Sequence, residues 1–104
     1  SQLSHPGAVV TLGCEMGPGL SMSSYTMFWY RQSSYRAPLE FVTREYAEDS
    51  GRFRPLLDAS NNNFSLQINQ LLPTDSSTYF CAASHSDADT DPAYFGPGTR
   101  LTVL

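Results

Sequence analysis

Charge is scarce in this sequence. Of its 104 residues 15% are charged, against about a quarter in an ordinary soluble domain. The formal net charge of -4 and a pI near 4.8 leave no basic surface to neutralise phosphates. Nucleic acid and anionic membrane surfaces are poor partners for such a chain, and a protein ligand fits better. No run of about 18 apolar residues is present, so nothing reads as a membrane-spanning helix. The opening SQLSHPGAVV lacks the charged start and apolar centre of a signal peptide. The chain therefore reads as a mature piece, with any membrane anchor expected beyond Leu104.

Catalytic chemistry is also thinly supplied. The two histidines, His5 and His85, fall at the amino end and in a loop, with no Gly-rich nucleophile elbow or phosphate loop nearby. No enzyme activity, cofactor or resident metal is expected. There are two cysteines, Cys14 and Cys81, 67 positions apart, a spacing unlike any CxxC metal or redox motif. Their simplest reading is one long-range disulfide in an oxidising compartment, the alternative being two buried free thiols.

What the chain does have is aromatic bulk and short alternating runs. Six Tyr, six Phe and one Trp favour sheet. Ala8, Val10, Leu12 and Cys14 alternate with more exposed types, and Phe64, Leu66 and Ile68 alternate with Ser65, Gln67 and Asn69, the period of half-buried strands. In TMFWYRQ, Met27 and Trp29 inward send Phe28, Tyr30 and Gln32 to the other face, which is oddly apolar for a solvated surface. Leu39 to Thr43 is a short apolar strand. LPTDSS is a turn, after which Tyr79 and Cys81 share a face, and Leu101 and Val103 share another in the last strand. Short strands punctuated by turns predict an all-β antiparallel sandwich, and 104 residues suit one domain with one modest core.

Two inward cysteines, a Trp fifteen positions after the first and a Tyr two before the second match the pin, packing tryptophan and tyrosine corner of an immunoglobulin sandwich. Here these are Cys14, Trp29, Tyr79 and Cys81. The resemblance runs through CEMGPGLSMSSYTMFWYRQ, SGRF, DSSTYFC and FGPGTRLTVL, and is to the variable (V-type) set, most of all to T-cell receptor variable domains. The body resembles receptor α or δ variable regions, whereas the joining segment, about residues 94–104, most resembles a receptor β one with immunoglobulin λ next, so the chain type is left open.

That resemblance implies an inter-sheet disulfide and an ion pair between Arg52 and Asp75 at the bottom of the sandwich. It implies a bulge at Phe95 to Gly98, where the conformational freedom of glycine lets the last strand bend and twist. It also implies three ligand-binding loops, at Pro18 to Thr26, Arg44 to Asp49 and Ala82 to Tyr94. Within them Met22, Ser24, Tyr25, Glu45, Tyr46, Glu48, His85, Asp87, Asp89 and Asp91 are the candidate contacts, Tyr among small polar residues giving large contact area at low entropy cost. The alternating aspartates lack the glycine turn and closing glutamate of a calcium loop, and read as a solvated acidic surface suited to a basic ligand.

For the apolar outer face the resemblance implies a second variable domain as partner, met by Tyr30, Gln32, Pro38, Phe80 and Phe95, with Gln32 paired to a glutamine across the interface. A heterodimer is the first expectation and a homodimer the second. Pro55 cannot donate a ladder hydrogen bond, so the strand containing it is expected to be short or at an edge. Asn63, Phe64 and Ser65 form a glycosylation sequon, with Asn63 facing out if Phe64 faces in. The reading that results is an extracellular receptor ectodomain that recognises antigen, such as a peptide on a major histocompatibility molecule. The alternative is a germline-encoded immune-type receptor or adhesion domain that binds one fixed protein or itself.

Overall fold

The structure is a computed structural model describing residues 1–48, 51–85 and 94–104. Its strands, in chain order, are β1 (Gln2–Ser4), β2 (Val10–Leu12), β3 (Tyr25–Gln32), β4 (Glu40–Arg44), β5 (Phe53–Asp58), β6 (Asn63–Ile68), β7 (Ser77–His85), β8 (Tyr94–Phe95) and β9 (Thr99–Val103). They form two sheets. One has the order β1-β9-β7-β3-β4, with β8 also paired to β7, and the other the order β2-β6-β5.

The alternation of the sequence is the alternation of burial. Along β6, Phe64, Leu66 and Ile68 are fully buried while Asn63, Ser65 and Gln67 are only partly covered. Met27 and Trp29 from β3 face them across the core, and the Trp29 indole stacks on Phe64 with ring centroids 5.9 Å apart. The Cys14–Cys81 disulfide joins the sheets beside this pair, with 6.3 Å between the Cα atoms. Leu12, Leu71, Tyr79 and Leu101 complete the packing.

Two local features depart from the reading of the sequence. The sandwich is not wholly antiparallel: β1 runs parallel to β9, with Gln2 opposite Leu101 and Ser4 opposite Val103. A three-residue strand carries too weak a pattern to reveal its direction. At Phe95 to Gly98 the glycines do not serve through left-handed torsions, since neither Gly96 nor Gly98 has a positive φ. Gly98 is needed for close approach, because a Cβ there would lie 2.5 Å from Thr78 Cγ2 and 2.7 Å from Phe80 Cε1.

Pro55 sits in β5 opposite Leu66, and β5 is the edge of its sheet. A residue without an N–H costs no ladder bond on the side that has no neighbour.

At the base, Arg52 and Asp75 meet end on. Arg52 Nη1 donates to Asp75 Oδ2 at 2.6 Å and Nη2 to Oδ1 at 2.9 Å. The carboxylate, almost wholly buried, also accepts the Leu72 N–H at 2.8 Å and lies 3.6 Å from Arg31 Nη1. Burial alone would raise its pKa, but the Arg52 and Leu72 hydrogen bonds and the charges of Arg52 and Arg31 outweigh it, so Asp75 titrates below the ordinary carboxylate range. The Tyr79 hydroxyl donates to the Asp75 carbonyl at 2.7 Å, tying the strand that carries Cys81 to the same turn.

Candidate functional site

Strand register brings the loop ends together. Tyr25 at the start of β3 lies opposite His85 at the end of β7, Phe28 lies opposite Arg44 at the end of β4, and Ala83 lies opposite Tyr94 at the start of β8. The described ends of the three segments expected to carry binding residues thus lie at one end of the sandwich, opposite the Arg52–Asp75 base. At that end Ser24, Tyr46, Glu48 and His85 are exposed, and the Tyr46 side chain is 82% accessible.

Three of the expected contacts are corrected. Met22, expected at the binding surface, is 1% exposed and belongs to the core, because a short 3-10 turn at Met22–Ser24 rolls its side chain inward. Tyr25 is also buried and packs on the His85 ring at 4.9 Å. Glu45 is half-buried and is turned back onto β3, its Oε1 accepting from the Met27 N–H at 2.7 Å. Asp87, Asp89 and Asp91 lie outside the described residues, and so does most of the third loop. Its first four residues, Ala82 to His85, continue β7 as strand. Among the described residues no group of three His, Cys, Asp or Glu side chains is placed to hold a metal.

Sequence reasoning overlooked Asn62. It occupies the turn between β5 and β6 with φ 52°, a left-handed conformation that asparagine tolerates better than most residues. Its Nδ2 donates to the Leu20 carbonyl at 2.9 Å and its Oδ1 accepts from the Met22 N–H at 3.1 Å, so this turn props the first loop from the opposite sheet. The run Asn61-Asn62-Asn63 was the available signal. Replacing Asn62 by alanine removes both bonds and strains the backbone, and is expected to cost about 2 kcal/mol; glycine, which relieves the strain, should cost about 1 kcal/mol. Urea unfolding of the two variants checks the ranking, and equal losses would contradict the role given to the torsion.

The outer face of the larger sheet holds a row of aromatic rings. Tyr30 contacts Phe41 edge-on at 5.9 Å and Phe95 at 5.7 Å. Phe41 is 57% exposed and Phe95 50%, with Leu39 and Pro38 exposed beside them and Phe80 partly so. In the sequence Phe41 stands out only as part of a short apolar strand. It joins the row because the β3–β4 register sets it opposite Tyr30. Gln32 is corrected in part: its amide nitrogen already donates to the Tyr35 and Ala37 carbonyls at 3.2 and 2.9 Å. Both amide hydrogens are thus engaged within the chain, which leaves the amide oxygen as the group that Gln32 can still offer as an acceptor.

Comparison with known proteins decides what this arrangement belongs to. The sequence model of the immunoglobulin V-set domain matches residues 1–104. The chain belongs to the immunoglobulin V-set family. Among its relatives, a mouse (Mus musculus) T-cell receptor beta chain V region, CTL-F3, is 43% identical over 94% of this chain and 75% of the relative. The mouse beta chain V region C5 is 34% identical over 100% of this chain and 86% of its own length. The mouse alpha chain V region 2B4 is 35% identical over 93% of this chain and 73% of its own. This V domain is therefore of the antigen-receptor type, similar to variable regions of both chains. Among its described residues no helix is long and apolar enough to cross a membrane.

Proposed function

We propose that this V domain is part of a cell-surface receptor ectodomain that binds a protein ligand, such as peptide presented by a histocompatibility molecule, through its three convergent loops. In this reading it does so paired to a second V domain through the outer face of the larger sheet. The observation that carries the proposal is the aromatic row Phe41, Tyr30 and Phe95, flanked by Phe80 and Leu39. A contiguous apolar patch on a small soluble domain marks an interaction surface, and aromatic side chains dominate the energetics of such surfaces. Its place on a sheet face, with only Phe95 next to a loop end, leaves the loops free to engage a separate ligand. The similarity to receptor alpha and beta V regions supports a different V domain as the partner.

The test is association. Sedimentation of the domain with candidate alpha-type and beta-type V domains is expected to give a 1:1 heterodimer, and Phe41→Ser with Phe95→Ser is expected to weaken it by 100-fold or more, on the order of 3 kcal/mol. A tighter self-association with the same sensitivity would favour the homodimeric alternative. Undiminished pairing of the double variant would remove the aromatic face from the interface.

A further inference from the structure

The three consecutive asparagines at 61–63 behave differently. Asn61 Nδ2 donates to Asp58 Oδ2 at 2.8 Å, and Asn62 is occupied with Leu20 and Met22. The carboxamide of Asn63, the one asparagine of the three that heads an N-x-S sequon, makes no polar contact among the described residues. Its backbone is held in β6, opposite Asp58 and bridged to Glu15, and Phe64 is fully buried behind it. Strand alternation therefore turns the Asn63 and Ser65 side chains to the same outer face.

That face is not flat. Asn63 and Ser65 line an open groove of about 580 Å³ together with Tyr46, Pro55, Leu56 and Asp58. Tyr46 is held at φ 60°, a conformation costly to an aromatic residue, and this carries its ring out to 82% exposure at the groove. An exposed, strained aromatic beside a free sequon amide calls for an apolar, hydrogen-bonding occupant.

We infer that Asn63 carries an N-linked glycan whose first N-acetylglucosamine lies in this groove against the Tyr46 ring. The covalent step is a glycosyl transfer from a lipid-diphosphate-linked oligosaccharide in the secretory pathway. Asn63 Nδ2 forms a bond to the anomeric carbon, the bond from that carbon to the phosphate oxygen breaks, the lipid diphosphate leaves with the electron pair, and one amide proton passes to a base of the transferase. The sugar's polarised C–H groups meet the electron-rich ring face, and its hydroxyls stay in solvent. Tyr46 then becomes a glycan seat rather than a ligand contact. The glycan covers the smaller sheet and leaves the aromatic row on the larger sheet open. The inference rests on the extracellular reading above.

The experiment is expression of the full chain behind a cleavable secretion leader in cells with an intact N-glycosylation pathway, with intact mass before and after peptide-N-glycosidase. The expected result is a secreted, disulfide-bonded protein carrying one glycan, released by the enzyme to leave aspartate at 63. Ser65→Ala should lose the whole glycan mass while keeping the disulfide. Tyr46→Ala should keep the glycan but lose the ring-current shift of the first sugar's N-acetyl signal. A secreted, disulfide-bonded wild type of unmodified mass overturns the glycan and leaves the extracellular reading standing; a chain neither secreted nor disulfide-bonded overturns both. Identical sugar signals in wild type and Tyr46→Ala overturn the seat.

Discussion

Replacing Asp75 by alanine is expected to destabilise the domain by about 3 kcal/mol, the low end of the cost of breaking a buried ion pair. The low end applies because the Arg52 side chain keeps 26% of its accessibility and can recover some hydration, while Asp75 keeps only 2%. Three donors converge on that carboxylate, from Arg52 twice and from the Leu72 N–H, and Arg31 stands close behind. Truncation leaves them without their acceptor at the turn that orients Tyr79. The pH dependence has a definite sign. Because the folded pKa of Asp75 is depressed, its contribution is fully present above the unfolded value of about 3.9 and is lost as pH falls through the folded value. Denaturant unfolding should therefore show a gap between wild type and Asp75→Ala that is constant near neutrality and shrinks in acid. A double-mutant cycle with Arg52→Ala should recover a large share of the loss as coupling. Additive losses at neutral pH would show that the contact stabilises nothing.

Removing the disulfide should have the largest effect on the domain. Cys14 and Cys81 are separated by 67 positions, and tethering a loop of that length restricts the unfolded chain by roughly 4 kcal/mol in the chain-entropy account. The Cys14→Ala, Cys81→Ala double variant is expected to melt on the order of 20 °C lower than wild type, given the usual shift of several degrees per kcal/mol for a domain this size. Alanine also leaves space beside Trp29 and Phe64, so Cys→Val variants should recover part of the loss by filling it. Calorimetry under non-reducing conditions measures the difference. Coincident melting curves would mean that Trp29, Phe64 and their neighbours hold the sheets together unaided.

Much of the architecture was legible because strand burial has a period of two. Leu12, Met27, Trp29, Phe64, Leu66, Ile68, Tyr79, Leu101 and Val103 all lie on faces that alternation turns inward, and all are buried. Pro55 betrayed an edge strand through chemistry alone, since it lacks the donor an interior strand needs. The binding end was harder to read. Loops have no period, so nothing in GLSMSSYT separates the inward Met22 from the outward Ser24; a 3-10 turn held by Asn62, forty residues away, does that. Glu45 looked like a surface carboxylate because its acceptor role depends on the backbone N–H of Met27 in another strand. Phe41 escaped notice because the ring it meets, Tyr30, comes from β3, and Tyr30 in turn meets Phe95 from β8.

What the sequence determined by itself is the set of inward faces, the two cysteines that can join them, and membership of the V-set family. Each depends on residue type and short spacing, which are local properties. Only the tertiary structure decided which side chains share a surface. The aromatic row, the carboxylate shared by Arg52, Leu72 and Arg31, the prop at Asn62 and the groove joining Tyr46 to Asn63 all assemble groups from distant parts of the chain. Their chemistry depends on strand register, and register is set by the packing of the whole core rather than by any one segment.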